Sequence, residues 1–272
     1  MKPSGIQINK PVLVVLIGII ILIIVGYKIY RNPTHFTILQ DSTMEKLVDV
    51  PADSKEKAKS VKVKEVNVEV KVDGKEVKIF TRQTDPLSGS PQLDLLLLHG
   101  QNFTSQNWVD IQTLHFLSVW NYKAIAVDLP GYGKSSKDVA VKDTVTFMQE
   151  LILALKLRAP VIISPSMSGS FSLPYLFKDP SNVLTRSKAY IPIAPVNTDK
   201  YDKEQYEQLK IPTAIICGQN DERIGPVSVK NLQNLPESKL FMLEGAGHAA
   251  YLNKPDLFHQ ILYNFLLEIT KK

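Results

Sequence analysis

Ser166, Asp221 and His248 are the residue types that supply a nucleophile, an orienting acid and a general base, and they occur in that order along a chain of 272 residues. Such a set performs acyl transfer: the imidazole takes the serine proton as the hydroxyl attacks a carbonyl, and the acid fixes the imidazole tautomer. Ser166 lies in Ser164-Pro165-Ser166-Met167-Ser168-Gly169, directly after the apolar run Val161–Ser164. A sharp strand-to-helix turn that lifts a serine hydroxyl needs small residues two before and two after it. Glycine is usual there, and serine stands at both places here. The plainer reading of this stretch is a serine-rich helix N-cap. Ser164, Ser168 and Ser170 are rival nucleophiles by proximity, but only Ser166 sits at the turn with small neighbours at both offsets. Asp221 ends Cys217-Gly218-Gln219-Asn220-Asp221 and could equally cap a following helix; His248 ends the glycine loop Leu243–His248.

These residues need elements to hold them. Short apolar runs at Leu93–Leu98, Ala124–Asp128, Val161–Ser164, Ala189–Ile193, Thr213–Cys217 and Lys239–Leu243 alternate with helical patterns near 105–119, 140–157, 168–178, 202–209, 226–234 and 256–270. That rhythm predicts a parallel sheet covered by helices on both faces. Ahead of it, Val61, Val63, Val66, Val68, Val70 and Val72 form an alternating strand whose phase slips at Glu65, which suggests a bulge. Asp73-Gly74 then predicts a hairpin. The sum is a mixed sheet of about eight strands, mostly parallel, with an N-terminal antiparallel hairpin. Functional groups in such sheets sit at the carboxyl ends of strands, and Ser166, Asp221 and His248 each follow a separate strand. That is the chain order of the α/β-hydrolase fold.

Competing chemistry is poorly supported. Asp128-Leu-Pro-Gly131-Tyr-Gly133-Lys-Ser135-Ser136 fits no phosphate loop, because Asp128 and Ser136 stand where glycines are required; it reads as a loop shaping a cleft. Cys217 is the single cysteine, so neither an internal disulfide nor a cysteine zinc site is available, and no H-E-x-x-H motif occurs. His35, His115 and His259 lie in the N-terminal stretch and in predicted helices, away from strand ends. No metal or bound cofactor is expected. The net charge of +5 comes largely from residues 1–31, where Lys2, Lys10, Lys28 and Arg31 face no acid. The remainder holds 28 basic and 27 acidic side chains, too balanced for a nucleic-acid-binding stripe.

Val12–Tyr27 is charge-free, and no small-residue cleavage pattern follows it. The expected organisation is a tail at 1–10, a membrane-spanning signal-anchor at 11–30, a stalk at 31–60 and the enzyme domain at 61–272. Lys2 and Lys10 on one side nearly balance Lys28, Arg31 and Lys46 on the other, so flanking charge leaves the orientation open, the cytoplasmic face included.

From about residue 61 to 270 the chain resembles the α/β-hydrolase-domain-containing protein 14 family. The resemblance rests on LLLLHG, AVDLPGYGKS, VIISPSMSG, IPIAPVNTDK and GAGHAAYLNKP. It implies a serine enzyme with Ser166 as nucleophile, His248 as base and Asp221 as orienting acid, acting on small acyl esters. The family has soluble and anchored members; residues 11–30 place this chain with the anchored branch, which implies a single-pass type II arrangement. Soluble relatives move an acetyl group from protein lysine to coenzyme A, so an acylated protein as substrate and coenzyme A as acceptor enter through the resemblance alone. Within this mechanism the oxyanion donors are the N–H of Met167 and an N–H after His99, that of Gln101. Only residues 196–210 separate Pro195 from Ile211, which leaves no room for a cap domain and predicts an open cleft. A catalytically silent hydrolase fold that binds a partner is the alternative. The sequon Asn102-Phe103-Thr104 marks the loop after His99.

Overall fold

The computed structural model describes residues 47–137 and 139–271. The expected anchor at 11–30, with the tail and most of the stalk, lies outside the described residues. Among the described residues no helix is long and apolar enough to cross a membrane.

In chain order the elements are α1 (Ser54–Ala58), β1 (Lys64–Val72), β2 (Lys75–Thr84), β3 (Asp94–Leu97), α2 (Gln106–Asp110), α3 (Thr113–Val119), β4 (Lys123–Val127), α4 (Thr144–Ala154) and β5 (Val161–Pro165). A 3₁₀ turn at Ser166–Ser168 leads into α5 (Gly169–Phe177), followed by α6 (Val183–Arg186), β6 (Tyr190–Ile193), α7 (Lys203–Gln208), β7 (Thr213–Gly218), α8 (Gly225–Leu232), β8 (Ser238–Leu243), α9 (Ala250–Asn253) and α10 (Pro255–Thr270). The sheet has eight strands in the order β1-β2-β4-β3-β5-β6-β7-β8. β1/β2 and β2/β4 are antiparallel, and the other neighbours are parallel.

The period-2 alternation of the central strands divides the core in two. Leu96, Ile125, Val127, Ile162 and Ile215 face Phe147, Leu151, Leu173 and Leu232 on one side. Leu95, Leu97, Ala126, Ile163 and Ile216 face Trp108, Leu117, Phe258, Leu262 and Leu266 on the other. Each such aliphatic side chain contributes roughly 1.5–3 kcal/mol by leaving water. Asp73 and Gly74 both take positive φ (+48° and +82°), as the two-residue hairpin turn requires.

Three expectations change. The register of β1 against β2 runs unbroken from Lys64↔Gln83 to Val72↔Lys75, so there is no bulge at Glu65. The phase slip marks the start of the strand instead: Val63 packs under one face, whereas Val70 and Val72 belong to the other. The helix expected over 105–119 is two helices, because Gln112 takes φ +63° between them. Residues 47–60, read as the end of a solvated stalk, pack onto the domain. Ser54 and Ala58 are buried. Trp120 Nε1 donates to Ser54 Oγ (3.3 Å), and the Asn264 carboxamide bonds both the N–H and the carbonyl of Val48 (2.9 and 2.8 Å). A short polar segment with one buried alanine leaves almost no hydrophobic period by which to be recognised.

Candidate active site

The site lies at the carboxyl ends of β3, β5, β6, β7 and β8. At the end of β5 the chain reverses sharply into α5, and Ser166 takes φ +50°, a conformation that costs an ordinary L-residue roughly 1–3 kcal/mol. The surroundings hold it there. The Ser166 carbonyl accepts from Val196 N–H at 2.9 Å, and the Ser168 hydroxyl donates to the Pro165 carbonyl at 2.8 Å. Gly169 is required by close approach: a Cβ there would meet Val196 O at 2.5 Å and Pro195 Cβ at 2.7 Å. Ser164 and Ser168, at the positions usually held by glycine, are fully buried.

His248 joins the other two sequence-predicted residues. Its Nε2 lies 2.7 Å from Ser166 Oγ and its Nδ1 lies 2.6 Å from Asp221 Oδ2. A carboxylate only accepts, so Nδ1 carries the ring proton and Nε2 is free to accept from the serine hydroxyl. Burial works against the charge of Asp221. The hydrogen bond and charge of His248, with the N–H groups of Gly225 and Arg223, outweigh it and hold the carboxyl below the usual aspartate range. The Asp221 side chain is 3% exposed and that of His248 36%, so the ring presents one edge to solvent. Cys217, behind Asp221, is inert: burial and then the nearby Asp221 charge push its thiol up to about 12.

The loop after β3 lies against the serine: a Cβ on Gly100 would be 3.4 Å from Ser166 Cβ. His99 organises this loop. Its Nε2 accepts from Leu129 N–H at 2.9 Å, so its Nδ1 donates to the Gly100 carbonyl at 2.8 Å. Burial is the dominant effect on His99 and lowers its proton affinity, despite the Gly100 carbonyl and Asp128. Phe103 N–H bonds the same Gly100 carbonyl.

The glycine-rich loop after β4 serves these contacts too. Asp128 is buried; its Oδ1 accepts from Ser105 N–H and Oγ (2.7 and 2.6 Å), and its Oδ2 accepts from Lys134 N–H (2.8 Å). Arg82, also buried, donates to Ser105 Oγ at 2.6 Å. Sequence reasoning missed His99, Asp128 and Arg82 as organisers of the β3 loop. His115 and His259 lie outside the site; His259 Nε2 is 2.9 Å from Thr113 Oγ1. Among the described residues no group of three or more His, Cys, Asp or Glu side chains could hold a metal ion. Among the described residues a 3₁₀ turn (Thr198–Lys200) and α7 are the elements of the β6–β7 connection.

No protein-family model matches the chain. Protein ABHD14A of Danio rerio is 40% identical over 199 residues, 70% of this chain and 72% of the relative. The human "Putative protein-lysine deacylase ABHD14B" is 38% identical over 194 residues, 69% of this chain and 90% of the relative. Among solved structures, a "predicted CIB-like hydrolase" from Thermoplasma acidophilum superposes with a TM-score of 0.66 at 24% identity, covering 77% of this chain and all of the other. Carboxylesterase CesB from Bacillus subtilis gives 0.62 at 15% identity, over 79% of this chain and 96% of the other. These structural likenesses establish the fold.

Proposed function

The chain belongs to the ABHD14A/ABHD14B family of α/β-hydrolases and is a serine hydrolase; from that premise we propose that it cleaves small acyl groups through an acyl-enzyme on Ser166. The observation that carries this reading is the unbroken hydrogen-bond series Ser166–His248–Asp221.

In the first half-reaction Ser166 Oγ attacks the substrate carbonyl and its proton passes to His248 Nε2. Asp221 stabilises the imidazolium through Nδ1–H. The carbonyl electrons collect on oxygen, and the N–H groups of Met167 and Gln101 receive that charge. A trans peptide is planar, with N–H opposed to C=O. Val196 holds the Ser166 carbonyl and so directs the Met167 N–H; His99 and Phe103 hold the Gly100 carbonyl and so direct the Gln101 N–H. One such donor contributes about 10²–10³ in rate. His248 then gives its proton to the leaving group. In the second half-reaction water attacks the acyl-enzyme, its proton goes to His248 and then to Ser166, and the acid is released. An acceptor thiol, that of coenzyme A included, would enter by the same step in place of water.

The short β6–β7 connection favours a small acyl group, free as an ester or carried on a protein side chain. The name of the human relative favours acylated lysine; there His248 must protonate a departing amine. The charge-free run Val12–Tyr27 supports residues 11–30 as a signal-anchor; its type II orientation rests on the resemblance to anchored relatives alone. Asn102 is exposed in the oxyanion loop, so a glycosidase-sensitive mobility shift lost in Asn102→Gln would place the domain on the luminal side.

A fluorophosphonate probe tests the main reading. The protein should label, and Ser166→Ala should abolish labelling and ester turnover with an unchanged melting temperature. Full labelling of Ser166→Ala would refute it.

A further inference from the structure

The serines that replace the usual glycines are linked to two further hydroxyls. Ser168 Oγ lies 3.0 Å from Ser164 Oγ, Ser164 Oγ lies 2.7 Å from Ser172 Oγ, and Ser172 Oγ lies 3.0 Å from Tyr190 OH. All four residues are fully buried. The direction of this chain is forced. A hydroxyl has a single proton, and that of Ser168 goes to the Pro165 carbonyl at 2.8 Å. Ser168 must therefore accept from Ser164, Ser164 from Ser172, and Ser172 from Tyr190. Burial keeps Tyr190 in its donor form by raising its phenol to about 12.

The chain ends on one particular atom. The Pro165 carbonyl belongs to the peptide preceding Ser166, and the Ser166 carbonyl, held by Val196 N–H, belongs to the peptide following it. Fixing both planes fixes φ and ψ of Ser166 between them. A residue at φ +50° relaxes unless its neighbours over-determine it. Donors acting in one direction polarise one another, so the bond to Pro165 gains from each hydroxyl behind it.

We infer that Tyr190, Ser172, Ser164 and Ser168 form a one-way hydroxyl chain that positions the nucleophile, with Tyr190 as its origin and the Pro165 carbonyl as its end. These are positioning residues: the structure gives them no bond to His248 or Asp221. The inference rests on Ser166 being the nucleophile.

The rate of fluorophosphonate labelling and the kinetics of 4-nitrophenyl acetate hydrolysis test it in the full chain. Ser168→Gly restores the usual elbow residue but removes the last donor; it should slow labelling and kcat roughly 5- to 10-fold, about the worth of one hydrogen bond, with KM unchanged. Tyr190→Phe removes one oxygen and should slow both measurably, by up to about twofold. The double variant should be no slower than Ser168→Gly alone, because Tyr190 then has nothing to act through. Multiplicative effects would overturn the chain, as would wild-type rates with a lowered melting temperature, the result of a purely structural role. Should Ser168→Gly fail to fold, Tyr190→Phe decides alone: unchanged kcat overturns the inference. Labelling of Ser166→Ala would instead overturn the premise that Ser166 is the nucleophile.

Discussion

The turn that carries Ser166 and the loop that carries His248 do complementary work and are built differently. The serine turn is fixed from beneath. Ser164, Ser168 and Gly169 are buried, both carbonyls flanking the serine are hydrogen-bonded, and the next loop touches Gly169. The histidine loop is half in water. Glu244 and Gly245 are exposed. Gly247 N–H is tied to the Asn253 side chain (2.9 Å) and Gly245 N–H to that of Gln219 (3.2 Å). Its shortest restraint is the bond from the His248 ring to Asp221. The serine turn is held through both carbonyls that flank Ser166, one by the Val196 N–H and one by the Ser168 hydroxyl, whereas the histidine loop is held by a backbone bond, from Asn220 N–H to the Ala246 carbonyl (2.8 Å), and by the side chains of Asn253, Gln219 and Asp221. A serine must meet a carbonyl at one angle; a base must reach first the serine and then a leaving group, and tolerates a softer mount.

Asp221→Asn breaks the comparison on its weak side. It removes the charge that holds the Nδ1–H tautomer, and kcat should fall about 10⁴-fold with the fold intact. Steady-state kinetics with circular dichroism check this; a loss under tenfold would show that the loop orients the base without the acid. Paired alanines then probe stiffness. Gly169→Ala drives a Cβ into Val196 O and Pro195 and should cost about 2–3 kcal/mol in urea melts along with the activity. Gly247→Ala meets only Asn253 Oδ1 at 3.5 Å and should be close to neutral.

Acid separates the base from the buried histidines. His259 is a stability group: burial lowers it to about 4, countered in part by Asp256 and reinforced by Lys55. With an unfolded value near 6.5, the unfolded chain binds the proton first, so the contribution is complete above about pH 6.5 and is lost as pH falls toward 4. His99, also lowered, acts in the same sense. His259→Gln should flatten the acid dependence by about 1.4 kcal/mol per pH unit in that window while leaving the pH–rate profile unchanged; denaturant melts at several pH values read the first and initial rates the second. A smaller loss than that of Asp221→Asn is expected of Asn253→Ala, which frees Gly247 N–H and should lower kcat/KM about fivefold, the worth of one hydrogen bond. A larger loss than that of Gly169→Ala would make the histidine loop the more rigid of the two.

The parts legible in the sequence were those governed by period and by strand ends. Six apolar runs located six strands, and their exits located Ser166, Asp221 and His248, because loops at one end of a parallel sheet converge. The serine pair around Ser166 was legible by size alone. Its hydrogen bonding was not: Ser168 and Ser172 stand four apart and so share a helix face, but only packing shows that Ser164 and Tyr190 meet them there. The role of His99 carries no local signal, because it depends on Leu129, thirty residues on. The stretch 47–60 reads as solvated because polar side chains cover all but a few of its contacts. The break at Gln112 carries no glycine or proline, the residues that usually announce one.

That packed stretch has a mechanical consequence. Whatever the chain does before Leu47, a pull along it reaches the domain through Val48, whose N–H and carbonyl are gripped by Asn264 on the last helix. Behind that grip stand Asp49 with Gln260, Lys55 with Asp256, and Ser54 with Trp120. The force is passed to α10 and α3, on the flank of the sheet, before any reaches β1. The strand ends that hold Ser166 and His248 are not in that line. A tension at the N-terminus would load the bonds of this strap to its helix before it reached the strand ends that carry Ser166, Asp221 and His248.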